Sequence, residues 1–134
     1  MGRLRIDRLT PPPAPLRRGD AVLAGRCHRA STPRSRLVGL LGTPDLDADE
    51  ALWITRCAAV HAIGLRARIG CAFLDRDGRV LRVVDPLPRR GAHVRGADAV
   101  VECRAGVLAG IAVGDVLRRD EIPATSDIRV TAGG

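Results

Sequence analysis

The stretch IGCAFLDRDGRVLRVV, residues 69–84, constrains the fold of this chain more than any other. Two apolar, β-favouring runs flank Asp77-Gly78, and both of those residues tolerate the positive φ that a tight hairpin turn demands. A two-residue turn there sets Asp75 opposite Val80, Leu74 opposite Leu81 and Phe73 opposite Arg82. Because side chains alternate along a strand, one face of the hairpin then carries Ala72, Leu74, Leu81 and Val83 and is wholly apolar. The other face mixes Cys71, Phe73 and Asp75 with Val80, Arg82 and Val84, and a loop one residue longer shifts that assignment. The hairpin thus predicts an antiparallel sheet with one buried face and one on which polar chemistry is possible.

Further strands are expected at AVLAGRC (21–27), ALWI (51–54), ADAVVEC (97–103) and VLRR (116–119). Two helices are expected between them. In ASTPRSRLVGLLG, Thr32 can cap exposed amides and Pro33 suits the first helical position, while Leu37, Leu40 and Leu41 share a face ahead of Gly42. In AGVLAGIAVGD (105–115), Val107, Leu108 and Ile111 fall at helical spacing and Gly114 ends the segment. The fold class that follows is α+β, a mainly antiparallel, curled or barrel-like β-sheet with two short helices.

The 134 residues fit one ordinary domain. Its core must be aliphatic, because Trp53 and Phe73 are the only aromatic residues. Pro11, Pro12, Pro13 and Pro15 favour extended geometry, so residues 1–19 read as a proline-rich N-terminal arm, with room for an edge strand at 3–9. Residues 20–120 form the compact domain, and 121–134, poor in bulky apolar residues and ending in glycines, a flexible tail.

The formal charge of +7 would ordinarily point to nucleic acid or an acidic membrane surface. Every one of the 22 basic residues is an arginine, however, and they are dispersed, as at Arg17-Arg18, Arg66 and Arg68, Arg89-Arg90 and Arg118-Arg119. This resembles GC-rich codon usage more than a basic face, and two aromatics provide no stacking platform for single strands. No signal-peptide segment precedes the proline cluster and no stretch approaches a membrane span, so a soluble cytoplasmic protein is expected. Cys27, Cys57, Cys71 and Cys103 are widely spaced, as small buried hydrophobes in a reducing compartment would be.

RCAAVHAIG (56–64) places Cys57 four residues before His61, the pairing that a nucleophilic thiol or half of a zinc site would use. On a helix the two share a face, whereas in an extended segment they stand about 13 Å apart, too far for a hydrogen bond. A metal would need Cys71, Cys103, His28 or His93 folded in as well. Thr32, Arg34 and Arg36 mark a helix start at which a phosphate or carboxylate could be held. Asp75 and Asp115 end strands or turns and suit surface ion pairs with Arg82 or Arg118. Paired carboxylates, a glycine-rich phosphate loop and a Ser-His-Asp arrangement are not recognisable.

Several ordered blocks add a resemblance. T-x-x-x-R-x-x-G-L-L-G (32–42), L-W-I followed by C-x-x-x-H (52–61), A-F-L-D-R-D-G-R-V-L (72–81), and A-V-V-E with A-G and G-I-A-V-G-D (99–115) together resemble the domain-of-unknown-function family 192, uncharacterised proteins of prokaryotes. The resemblance spans roughly 22–118 and implies a compact β-rich single domain with no established activity or cofactor. The family form with C-x-x-x-H reads P-C, H-T, G-M and I-D where this chain has Arg56-Cys57, His61-Ala62, Gly64-Leu65 and Ile69-Gly70. Two polar groups are thereby replaced, at Ala62 and Gly70, and Leu65 differs as well.

The expected function is a non-enzymatic binding module for a small anionic ligand or a protein partner, with no cofactor and no metal. The expected ligand-binding residues are Thr32, Arg34, Arg36, Trp53, His61, Asp75 and Arg82. The alternatives are a hydrolase or transferase that uses Cys57 and His61, and an arginine-mediated nucleic-acid accessory protein. Oligomeric state is left open.

Overall fold

The computed structural model describes residues 13–30, 47–61 and 68–120. In chain order the strands are β1 (Ala14–Arg18), β2 (Ala21–Ala30), β3 (Glu50–Thr55), β4 (Ala59–Val60), β5 (Ile69–Leu74), β6 (Val80–Val84), β7 (Ala92–His93), β8 (Ala99–Arg104) and β9 (Leu117–Arg119). Seven of them form one sheet in the order β6-β5-β8-β3-β2-β1-β9, and β4 pairs with β7 separately. Neighbours are antiparallel except β2 and β3, which are parallel.

The sheet curls into a half-barrel whose two ends meet at one seam. Arg79, just before β6, bridges Val116, just before β9. The Leu117 amide donates to the Gly78 carbonyl at 2.9 Å and the Val80 amide to the Asp115 carbonyl at 2.7 Å. Residues from both ends of the strand order, Val80 and Leu74 with Leu16 and Leu117, consequently share one core cluster, which must fill the concave face. Ala24, Ala51, Ala72 and Val101 complete its middle, their small size suiting the inside of the curl.

The alternate residues build a second core on the convex face, from Leu52, Ile54, Ile69, Cys71, Phe73 and Val100 under Val60 and Leu87. All six residues of β5 are therefore buried, and the hairpin side on which Cys71, Phe73 and Val84 sit is packed rather than open. Each bulky aliphatic side chain removed from water contributes about 1.5–3 kcal/mol, so two aliphatic layers replace the missing aromatics.

The hairpin register holds for Cys71, Ala72 and Phe73, opposite Val84, Val83 and Arg82, and then slips, so that Leu74 faces Val80 in place of Leu81. The turn contains three residues, Arg76, Asp77 and Gly78, closed by the Asp75 amide donating to the Arg79 carbonyl at 2.9 Å. Gly78 has φ +83°, as the last residue of such a turn requires. Ala14–Arg18, at the end of the proline cluster, form β1 between β2 and β9. The ladder jumps from Ala14 to Leu16, which steps over Pro15 and its missing amide hydrogen.

No helix occurs among the described residues. The helix expected at Thr32–Gly42 lies outside them, as does the edge strand at 3–9. The helix expected at 105–115 is absent, and that segment is a series of tight turns. Val107, Ala109 and Ile111 each donate their amide three residues back, to Arg104, Gly106 and Leu108. Gly106 and Gly114 have φ +99° and +96°, which no right-handed helix can contain. The apolar spacing there serves packing only: Leu108 and Ile111 face the concave core from a turn.

Candidate functional site

The hairpin turn is fixed by Asp75, whose Oδ1 accepts the amides of Asp77 and Arg79, each at 2.9 Å. It docks on β9 so closely that a Cβ on Gly78 would lie 2.4 Å from the Leu117 carbonyl oxygen. The docked turn thrusts Arg76 and Asp77 outwards beside β9. Arg29 near the end of β2, Trp53 on β3, and Arg118 and Arg119 on β9 complete a cleft of about 300 Å³ at this mouth of the half-barrel.

Four guanidinium groups and one carboxylate line this cleft. Two of the guanidiniums are engaged with the protein: Arg119 is buried and donates from Nε to the Cys27 carbonyl at 2.8 Å, and Arg118 pairs with Asp120 at 2.9 Å. Arg29 and Arg76 are exposed and make no side-chain hydrogen bond or ion pair with another described residue. Trp53 is partly buried, packed against the concave core while bordering the cleft. The arrangement offers guanidinium forks for carboxylate or phosphate, an aromatic wall, and one acceptor at Asp77.

A second polar group lies on the convex face. His28 Nε2 is 2.6 Å from Glu50 Oε2, both residues being at most 4 % exposed, and Arg26 Nε donates to Glu50 Oε1 at 3.2 Å. Burial holds the His28 imidazole below its ordinary pKa, against the opposing pull of Glu50. Glu102, fully buried, points to the same face, opposite Leu52 and Cys71. Among the described residues no three His, Cys, Asp or Glu side chains come together as a metal site would need.

The residues singled out from the sequence are spread over both faces. Trp53 lines the cleft, and Asp75 stands behind the turn that forms one of its walls. His61 is exposed after β4, whose Val60 belongs to the convex core, and Arg82 is exposed on the edge strand β6 opposite Phe73 of that same core. The Cys57 thiol, packed against the convex core, donates to the Ala59 carbonyl at 3.2 Å. Thr32, Arg34, Arg36, Ala62 and Leu65 lie outside the described residues. Where the resemblance has an aspartate, a Cβ on Gly70 would lie 2.4 Å from the carboxyl carbon of Asp85. The Asp85 carboxylate accepts the amides of Gly106 at 2.8 Å and Leu108 at 3.2 Å, so it anchors the turns that replace the second helix.

Asp115 pairs with Arg18, at 3.2 Å, rather than with Arg118. The Ala112 amide, and after it Arg18, holds the Asp115 carboxyl below the usual carboxylate range. Burial pushes the Cys103 thiol far up, away from nucleophilic use. Arg29, Arg76, Arg119 and Glu50 were not distinguished by the sequence, and His28 was considered only as an additional metal ligand. The one available signal was for Glu102, a charge in the middle of the apolar run AVVEC.

A curled, mainly antiparallel half-barrel with a basic cleft at its seam defines the class of protein. The family model for domain-of-unknown-function family 192, described as "Uncharacterized ACR", matches residues 16–119, and the chain belongs to that family. A solved protein of unknown function from Novosphingobium aromaticivorans is similar at TM-score 0.60 and 22% identity, over 69% of this chain and 74% of that one. A protein from Sinorhizobium meliloti described as a "putative transcription regulator" is similar at TM-score 0.58 and 22% identity, over 71% of this chain and 85% of that one. Both share the fold. The chain has no match among curated proteins. No helix among the described residues is long and apolar enough to cross a membrane.

Proposed function

We propose that the protein is a non-enzymatic binding module that takes a small anionic ligand in the cleft beside Trp53. The observation that carries this reading is the pair of exposed guanidiniums, Arg29 and Arg76, which face the cleft without a partner among the described residues. An arginine settled against its own carboxylate has little left to offer an anion, and these two are not so settled. The turn bearing Arg76 is held by Asp75 and seated on β9, so that side of the cleft is set before a ligand arrives. A cytoplasmic setting suits this reading, because Cys27, Cys71 and Cys103 are buried thiols.

Trp53, the only tryptophan, supplies the test. Titrating the full chain with inorganic phosphate and with citrate should change its emission saturably. Arg29→Ala and Arg76→Ala should each weaken that binding about tenfold, the scale of losing one charge-assisted hydrogen bond. Unchanged emission together with no heat in calorimetry at millimolar anion would overturn the reading. The description of the Sinorhizobium meliloti protein brings in nucleic acid as the second reading. It requires affinity for an oligonucleotide that falls steeply with rising salt.

A further inference from the structure

We infer that the anion taken by this cleft carries a planar ring and a hydrogen-bond donor as well as its charge, the chemistry of a nucleoside monophosphate. The inference rests on the reading of the cleft as an anion site and specifies its ligand. The lining combines three kinds of group that a bare inorganic anion does not use together. Arg29 and Arg76, from β2 and the hairpin turn, both line the cleft and offer it the guanidinium forks that phosphate binds. Trp53 is the aromatic member of the lining, and a planar ring packed on its exposed part replaces water there. Asp77 is an exposed carboxylate that repels a second anion and accepts a hydrogen bond from an N–H or O–H.

Size and composition narrow the ligand further. About 300 Å³ is the lower end of the range for small-molecule sites, enough for one ring system with one charged group. A nucleic-acid strand would need successive aromatic platforms, and Phe73, the only other aromatic, is wholly buried in the convex core. A base and ribose bring both the ring for Trp53 and the N–H and O–H groups for Asp77.

The test compares guanosine 5′-monophosphate, adenosine 5′-monophosphate, guanosine, inorganic phosphate and a twelve-residue oligothymidylate on the full chain, by Trp53 emission and by calorimetry. At least one mononucleotide should bind at least tenfold more tightly than phosphate and more tightly than the nucleoside. Asp77→Asn should weaken that nucleotide about fivefold while leaving phosphate unchanged or tighter, which a merely structural role for Asp77 would not produce. Trp53→Leu, followed by calorimetry, should cost about tenfold for the nucleotide and little for phosphate. Equal binding of phosphate and nucleotides would overturn this inference and leave the anion site standing. No binding of any anion would overturn both, and oligothymidylate binding far more tightly than the mononucleotides would replace this inference with strand recognition.

Discussion

The convex polar group and the seam cleft both place arginine beside acid, and they do opposite things with the charge. On the convex face Glu50 receives His28 at 2.6 Å and Arg26 at 3.2 Å, so the buried carboxylate is satisfied by a buried imidazole and a part-exposed guanidinium. At the seam one carboxylate, Asp77, accompanies four guanidiniums, two of which have no partner among the described residues. A closed set of charges stabilises or orients its surroundings, whereas an incomplete set is available to something that arrives. Changes on the convex face should therefore be read in stability, and changes at the cleft in binding.

The largest effect is expected from Glu50→Ala. It removes the acceptor of the buried His28 imidazole and leaves that group against an apolar neighbour, while the Arg26 guanidinium, whose side chain is 42% exposed, turns to water. A buried polar group left unsatisfied costs about 1–3 kcal/mol and the vacated side-chain volume adds to that, a loss that urea denaturation would detect. Anion binding by the protein that remains folded should be unchanged. A loss below about 1 kcal/mol, on the scale of exposed ion pairs, would mean that Glu50 is not shielded and would erase the contrast between the two regions.

Gly78→Ala comes next, because it acts on the seam that makes the cleft. The position combines φ +83° with a backbone oxygen 2.4 Å from the added carbon. A left-handed non-glycine residue costs about 1–3 kcal/mol, and here the turn must also move away from β9, so both stability and anion binding should fall. Gly19→Ala is the matched control: φ is +58° and nothing lies within 4 Å of the added carbon, so only the backbone penalty remains and binding is retained. If the two variants lose the same stability and bind alike, the seam does not organise the cleft.

A smaller effect follows from His28. Its pKa is lowered in the folded protein, so between that value and the unfolded value near 6.5 the unfolded chain holds more protons. Stability from this group is fully present above about pH 6.5 and is lost as pH falls towards the folded-state value. Denaturation midpoints for the protein and for His28→Gln should diverge above pH 6.5 and converge in acid. A gap that widens in acid would mean that Glu50, not burial, dominates the imidazole.

These contrasts also explain what the sequence made legible. The strands around 21–27, 51–54, 97–103 and 116–119, the hairpin and the register of Cys71 to Phe73 followed from alternation and from Asp77-Gly78, since both are local properties, whereas β1, β4 and β7 were not among the expected strands. The slip at Leu74 did not, because a three-residue turn uses Gly78 as its last residue and the same dipeptide serves either turn length. Residues 105–115 misled because apolar spacing reports which side chains pack and not how the backbone places them, and three glycines with the Asp85 carboxylate favour turns. Trp53 stood out in the sequence by its rarity, and it borders the cleft. Arg29, Arg76 and Arg119 were hidden among 22 arginines, and only the curl that joins the two ends of the sheet brings them together.

The smallest expected effect tests the choice of face. Arg82 lies on the mixed side of the hairpin, the side that sequence alternation marked for polar chemistry, and it is exposed on β6 opposite Phe73. Phe73, Cys71 and Val84 pack the convex core there, while Trp53 and the cleft belong to the concave side. Arg82→Ala should thus change stability by less than about 0.5 kcal/mol, as surface substitutions do, and leave phosphate and nucleotide binding as they were. Arg76→Ala, six residues away on the same hairpin, should weaken both. Were Arg82→Ala the damaging change and Arg76→Ala the silent one, the ligand would sit on the convex face, and Arg29 and Arg76 at the seam would be ordinary solvated charges.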